Sequence, residues 1–237
     1  MKPLKFFLLL IPIVLGSASQ RSSETLGNRT VRSNKEYGHQ VLLEYIGHVT
    51  VAWDLDMAIN VSIDSSIGVR YEVTFTRVTY PADKRLVTLI AHVAIFYKFS
   101  NPYQSVQYNF LTHKSTVNKS GGSPDSDPDV EVIGKETVNT YLCSHLQHGK
   151  APDEVSDYWM SPSVPGFSKL GNALKTINSG LPSMAFSGTI FNWGGLVKWT
   201  SYRIDESTGA AIKLDLHLQK ANTDVTLPSK TFDVPSK

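Results

Sequence analysis

A single cysteine, Cys143, stands in a chain of 237 residues. One thiol cannot form an internal disulfide, so even in an oxidising compartment the fold must be held by packing. Net charge is scarce as well. The 23 basic residues face 21 acidic ones, and without Lys2 and Lys5 the remainder balances to about zero. A neutral chain with no basic run argues against nucleic acid and anionic membrane surfaces as partners. Past the first twenty residues, no stretch approaches the roughly eighteen uninterrupted apolar residues of a membrane-spanning helix. Stable membrane insertion is therefore not expected, and partners are sought among neutral or apolar molecules. The G-x-S-x-G turn of a serine hydrolase is missing too.

What is present at the start is MKPLKFFLLLIPIVLGSASQ. Lys2 and Lys5 precede an apolar run from Phe6 to Leu15, and small residues follow from Gly16 to Ser19. That order of charge, apolar run and small residues is a secretory signal, and the run is too short to span a bilayer. Residues 1–19 are read as a signal peptide. Residues 20–38, polar and charged with Leu26 and Val31 as the only aliphatic residues, are read as a loosely ordered leader. The product is expected to be exported and soluble, in a periplasm or outside the cell. Residues 39–237 are expected to form a single β-rich domain, since 41% apolar content suffices for one core. Sequons at Asn28, Asn60 and Asn118 matter only in a eukaryotic host.

Alternation with a period of two dominates the middle of the chain. Val41, Leu43, Tyr45, Val49, Val51 and Trp53 share one parity, with Glu44, His48 and Thr50 on the other. The same holds for Met57, Ile59, Val61 and Ile63, for Val69, Tyr71, Val73 and Phe75, through LVTLIAHVAIFYKF, and for Ile212, Leu214, Leu216 and Leu218. A sheet with one buried face requires this pattern, so half-exposed antiparallel strands are expected. Turn residues separate them at Asp64–Gly68, Tyr80–Asp83, Ser100–Pro102, Gly194–Gly195 and Glu206–Gly209, which favours hairpins in succession. His92 lies in the most apolar strand and is either a surface position or a buried, hydrogen-bonded histidine.

Only PGFSKLGNALKTINSG has helical spacing, with Phe167, Leu170, Leu174 and Ile177 at steps of three and four. Pro165 and Gly180 supply its start and stop. The loop from Asn118 to Asp129 offers Asp125, Asp127 and Asp129 at calcium-loop spacing, but Val130 occupies the place where that loop needs glycine. A solvated acidic loop is the better reading.

The segment from Gly134 carries a resemblance. Gly134-Lys-Glu-Thr-Val138, then Tyr141-Leu-Cys143-Ser-His145, then Tyr158-Trp159-Met-Ser-Pro-Ser-Val-Pro165 resembles a signature of exported bacterial proteins of uncharacterised function. In that signature a G-x-E-T-V-x-G-x-x-C-x-x-Y strand pair leads to W-x-S-x-x-x-P and a helix. Asn139 stands near where the signature has glycine. The tail Phe232-Asp-Val-Pro235 is similar to that family's closing F-x-V-P element. The resemblance implies an architecture like the periplasmic lipoprotein carriers LolA and LolB. These are mainly β (α+β), with a single curved antiparallel sheet or half-open barrel covered by one or two helices.

Cys143 and His145 share a strand face by parity, and His148 points the other way. That splits a C-x-H-x-x-H metal set, leaving Cys143 and His145 with Asp153, Glu154 or Asp157 as what a zinc or copper site could use. A cysteine nucleophile would also need an orienting partner for its histidine. The reading preferred is a small half-buried thiol beside an exposed imidazole. No catalytic residue, cofactor or metal is assigned. The expected function is binding of an apolar small molecule or lipidated protein in the concave face of the sheet. Trp53, Trp159, Phe167, Leu170, Leu174, Phe186, Phe191, Trp193 and Trp199 are the ligand-binding candidates. A filled, non-enzymatic interaction scaffold is the alternative, and a metal-dependent enzyme using Cys143 and His145 is the second.

Overall fold

The computed structural model describes residues 40–50, 53–80, 84–119, 130–150, 154–171, 190–205 and 209–236. The expected signal peptide, the leader, and the acidic loop carrying Asp125, Asp127 and Asp129 lie outside them. Eleven strands follow one another: β1 (Gln40–Thr50), β2 (Asp54–Asp64), β3 (Gly68–Thr79), β4 (Leu86–Lys98), β5 (Gln104–Asn109), β6 (Lys114–Lys119), β7 (Val130–Val138), β8 (Tyr141–Lys150), β9 (Glu154–Ser161), β10 (Gly195–Ile204) and β11 (Ala211–Asn222). Five residues, 167–171, begin a helix where Pro165 and Phe167 predict one; its expected continuation through Leu174 and Ile177 lies outside the described residues. A 3-10 turn spans Ile190–Trp193. Among the described residues no helix is long and apolar enough to cross a membrane.

All eleven strands join one antiparallel sheet in the order β6-β5-β4-β3-β2-β1-β11-β10-β9-β8-β7. Each neighbouring pair consists of strands successive in the chain, apart from β1 with β11, which brings Glu44 opposite Lys220 and Val49 opposite Leu214. The protein is thus mainly β, an open curved antiparallel sheet. Among the described residues it is not a closed barrel, because β6 and β7 remain as its two edges. The composition of β6 explains why. KSTVNK is exposed along nearly its whole length, so pairing it would bury almost no apolar surface. On the other edge, the register of β7 slips between Val132 and Gly134, a bulge that bends an edge away from further pairing.

The period-two reading of β1, β2 and β11 holds at the level of burial. Leu43, Ile59, Val61 and Leu216 are each at most 1% exposed, and sealing each of these side chains contributes about 1.5–3 kcal/mol. They share one cluster with Val69, Tyr71 and Ile95 from β3 and β4, Leu146 from β8, Met160 from β9 and Leu196 from β10. Residues from both wings of an eleven-stranded sheet meet only if the sheet curls around them, so this side is the concave one. Val164, Leu170, Ile190 and Phe191 cap one end of the cluster. Gly166 makes that approach possible. Its φ is +72°, and a Cβ there would lie 2.8 Å from Ile63 Cδ1, so no other residue fits without strain.

Three departures from the alternation have physical causes. First, β1 ends at Thr50, so Trp53 is not on its inward face; it precedes β2, with the Arg77 guanidinium 5.1 Å from its ring centre. Second, β4 slips opposite Phe75 and Thr76, leaving Ile90 unpaired, which interrupts a single parity through LVTLIAHVAIFYKF. Third, β4 is not half-exposed at its end. Ala94 and Phe96, on the convex side, are as buried as Ile95 and Tyr97. The C-terminal tail covers them: Leu227 N donates to Gln40 Oε1 at 2.7 Å, Lys98 pairs with Asp233 at 3.0 Å, and Val234 packs on a second cluster of Ala94, Phe96 and Tyr108.

Turn chemistry is concrete at Asp64, which is 4% exposed. Its Oδ1 accepts from Ser66 N at 2.9 Å, Ile67 N at 3.1 Å and Ser66 Oγ at 2.6 Å, and its Oδ2 accepts from Gln40 Nε2 at 2.8 Å. Burial pushes its carboxyl up, but the hydrogen bonds from Ser66, Gln40 and the backbone outweigh that and hold it below the usual range.

Candidate functional site

Two places concentrate the side chains that could serve a function, one on each face of the sheet. The concave face is a continuous apolar surface. At its capped end Leu170, Phe191 and Trp199 are 1%, 3% and 7% exposed, which makes them floor and wall. Phe167 is half-buried and packs on the same cluster. Across the floor Tyr158 and Trp199 stack at 5.8 Å and 14°, and Tyr45 Oη donates to Leu196 O at 3.2 Å. Burial raises the Tyr158 phenol to about 12, and pushes the Tyr45 and Tyr71 phenols up as well, so all three are neutral. Toward β3 and β4 the cover thins: Val73, Phe75 and Ile90 join the cluster but are only partly buried. Beyond them Leu86, Val87 and Leu89 are exposed by 53%, 52% and 43%.

Of the nine residues singled out from sequence, the structure gathers Trp159, Phe167, Leu170, Phe191 and Trp199 into this cluster. Trp53 and Trp193 stand outside it, and Leu174 and Phe186 lie outside the described residues. Trp159 differs from the rest. Strand alternation puts it on the side of β9 opposite to Tyr158 and Met160, in register with His145 and Lys198. Val73, Phe75 and Ile90, partly accessible members of the cluster, lie outside the nine, and the alternation through β3 marks the first two as inward. Of the gathered candidates Leu170, Phe191 and Trp199 are buried, whereas Trp159 and Phe167 are half-buried.

The second place is His145 on the convex face. Its Nε2 lies 2.9 Å from Asp157 Oδ1 and its Nδ1 lies 3.3 Å from Glu136 Oε1. The ring stacks on Trp159 at 4.4 Å and 14°. Trp159 Nε1 donates to Glu136, Gln147 Nε2 donates to Asp157 Oδ1 at 2.9 Å, and Lys198 Nζ sits 4.7 Å from the indole centre. Both ring nitrogens thus lie beside carboxylate oxygens from neighbouring strands. Cys143 is 1% exposed, and its Sγ donates to Tyr141 O at 3.4 Å. Burial, with a contribution from Glu136, pushes the thiol up to about 11 against a hydrogen bond at Val138. A thiol held protonated is poorly suited to attack or to bind a metal. Among the described residues no three His, Cys, Asp or Glu side chains form a group that could hold a metal ion. The register places His148 opposite Ser156 and Val130.

Asn139, near where the resembled signature has glycine, adopts φ +54° in the hairpin between β7 and β8. Asparagine tolerates that left-handed conformation better than other residues with a side chain. Residues 65–237 match a family described as a domain of unknown function, DUF4412. No curated protein matches the sequence. Among solved structures the chain is similar to an uncharacterised conserved protein from Thermus thermophilus, with 9% identity and a TM-score of 0.43 over 84% of this chain and 87% of that one. It is also similar to a LolA superfamily protein from Nitrosomonas europaea, with 10% identity and a TM-score of 0.27 over 81% of this chain and 89% of that one. The architecture itself is read from the strand order and register above.

Proposed function

The chain belongs to the DUF4412 family, and from that footing we propose that it is an exported, soluble carrier. It holds an apolar ligand, such as a lipid, an acyl chain or a lipidated partner, against the concave face of its sheet. One observation carries the proposal: among the described residues the apolar cluster does not end in a sealed wall but runs out through half-buried Val73, Phe75 and Ile90. Water in contact with those side chains is what an alkyl chain would displace. At about 25 cal/mol per Å² of apolar area removed from water, a chain burying a few hundred Å² gains several kcal/mol. Leu170, Phe191 and Trp199 shape the floor of the site rather than touch its contents. No step of chemistry is needed, and the braced state of Cys143 and His145 is consistent with carriage.

Native mass spectrometry of the mature protein purified from its own host tests this. A co-purifying lipid-sized mass that disappears in Phe75→Asp, with the fold retained, is the expected result. The absence of any such mass from the unaltered protein would favour a filled interaction scaffold. The near-complete burial of Leu170 and Phe191 is the feature that reading would rest on.

A further inference from the structure

The convex face holds an open depression of about 470 Å³, formed where β9, β10, β11 and β1 run side by side. Its size falls within the range of small-molecule sites. Eight of its ten lining residues carry a polar group, among them His48, Asp157, Thr200, Tyr202, Lys213 and Asp215, while Val155, Leu214 and the Tyr202 ring give it apolar surface as well. Register explains why they meet. Asp157 faces Thr200, Thr200 faces Asp215 and Asp215 faces His48, while Tyr202 faces Lys213 in the next row. Four strands thus contribute to one concavity, on the side away from the apolar cluster.

The protein uses only part of the hydrogen-bonding capacity of these groups. His145 and Gln147 both engage Oδ1 of Asp157, which holds that carboxylate in place and leaves Oδ2 open among the described residues. His217 lies 3.4 Å from Oδ1 of Asp215. Lys213 makes no ion pair with a described residue, and the Tyr202 hydroxyl makes no hydrogen bond with one. A braced acceptor, an unpaired ammonium among the described residues and a phenol ring therefore line one small space.

The chemistry of the lining selects the ligand by elimination. An anion would face Asp157 and Asp215, with Asp54 and Asp56 close by on His48 at 3.4 and 3.3 Å. A compact cation would meet Lys213, and among the described residues no group of three ligating side chains exists to hold a metal. An alkyl chain would strip water from two carboxylates, a cost that the small apolar area of Val155 and Leu214 does not offset. A neutral polyhydroxylated ring meets none of these costs. Its hydroxyls donate to Asp157 and Asp215 and accept from Lys213 and Thr200, and its C–H face lies on the Tyr202 ring.

We propose that this depression is a binding site for a neutral saccharide, separate from the apolar face. The test is a titration of the protein with maltotriose, cellotriose and triacetylchitotriose, followed by backbone amide NMR, with glucose 6-phosphate and glucosamine as charged controls. Shifts for at least one neutral trisaccharide confined to Thr50, Asp157, Thr200–Tyr202 and Lys213–Asp215 are expected. Tyr202→Ala and Asp215→Asn, each checked for an otherwise unchanged amide spectrum, should each weaken that binding about tenfold or more. The proposal is overturned if no neutral trisaccharide shifts these amides up to tens of millimolar, or if the shifts fall elsewhere. It is equally overturned if a charged control binds the depression more tightly than every neutral sugar, or if both variants bind like the unaltered protein.

Discussion

Replacing Phe232 by alanine should unfasten the C-terminal tail and with it the convex side of β4. Phe232 is 3% exposed and sits between two fastenings, the Leu227 hydrogen bond to Gln40 and the contact of Val234 with Ala94, Phe96 and Tyr108. Truncating a buried phenylalanine costs about 3–5 kcal/mol, the lost transfer energy plus the cavity left behind. Against a total of about 5–15 kcal/mol for a domain, that is a large share, and for a chain of this size it lowers Tm by roughly 6–20 °C. The neighbouring Lys98 and Asp233 pair has side chains exposed by 46% and 59%, so Asp233→Asn should change stability by at most about 1 kcal/mol. Urea denaturation of both variants gives the free energies. Hydrogen exchange gives the location, since amides of β4 and β5 should lose protection in Phe232→Ala before those of β10 and β11. A loss under about 1 kcal/mol, with β4 and β5 protected as before, would refute the view that the tail is part of the core.

Other outcomes follow from single residues. The Cys143 thiol titrates at about 11 when folded against an ordinary value of 9.0. The folded state therefore holds this proton more tightly, and its contribution is complete below about pH 9 and lost as pH rises toward 11. Between those limits urea stability should fall, by about 2–3 kcal/mol from this group, and Cys143→Ala should flatten that part of the profile; an unchanged slope would contradict it. Gly166→Ala forces a Cβ into φ +72° beside Ile63 and should cost about 1–3 kcal/mol in thermal or urea unfolding. Asn139→Gly should be neutral or slightly stabilising, whereas Asn139→Val should cost about 1–2 kcal/mol, because φ there is +54°; equal melting temperatures for the two would count against a strict turn requirement.

Much of the sheet could be read from the letters because its determinants are local. In β1, β2 and β11 every second residue is apolar, and those residues are the buried ones, as Leu43, Ile59 and Leu216 show. The start of the helix at Phe167 was equally local, since Pro165 and the first apolar step announce it. What escaped was set by distant neighbours. A bulge such as Ile90 depends on how β3 sits beside β4, and nothing in the run itself marks it. Trp53 keeps the parity of β1 but lies beyond its end, where Arg77 rather than the core receives it. The candidate site was half legible. Phe167, Leu170, Phe191 and Trp199 do converge, with Leu170, Phe191 and Trp199 buried and Phe167, like Val73, Phe75 and Ile90, only partly so. His145 illustrates the limit most directly: its partners Glu136 and Asp157 come from two other strands, and spacing in the sequence names neither as a clamp.

The pairing of β1 with β11 has a consequence for how the molecule is made. The two strands at the centre of the sheet are the first and the last of the eleven to be synthesised, while those made in between end at its rims. A nascent chain that has completed β1 to β6 therefore carries a long, apolar central strand with one side bare, and it stays bare until β11 emerges. Contacts this far apart in sequence form slowly, and an unpaired inner strand invites association with other chains in the meantime. Export before folding would move that interval away from the crowded site of synthesis, and any product cut short before Ala211 would lack the one strand that joins its two wings.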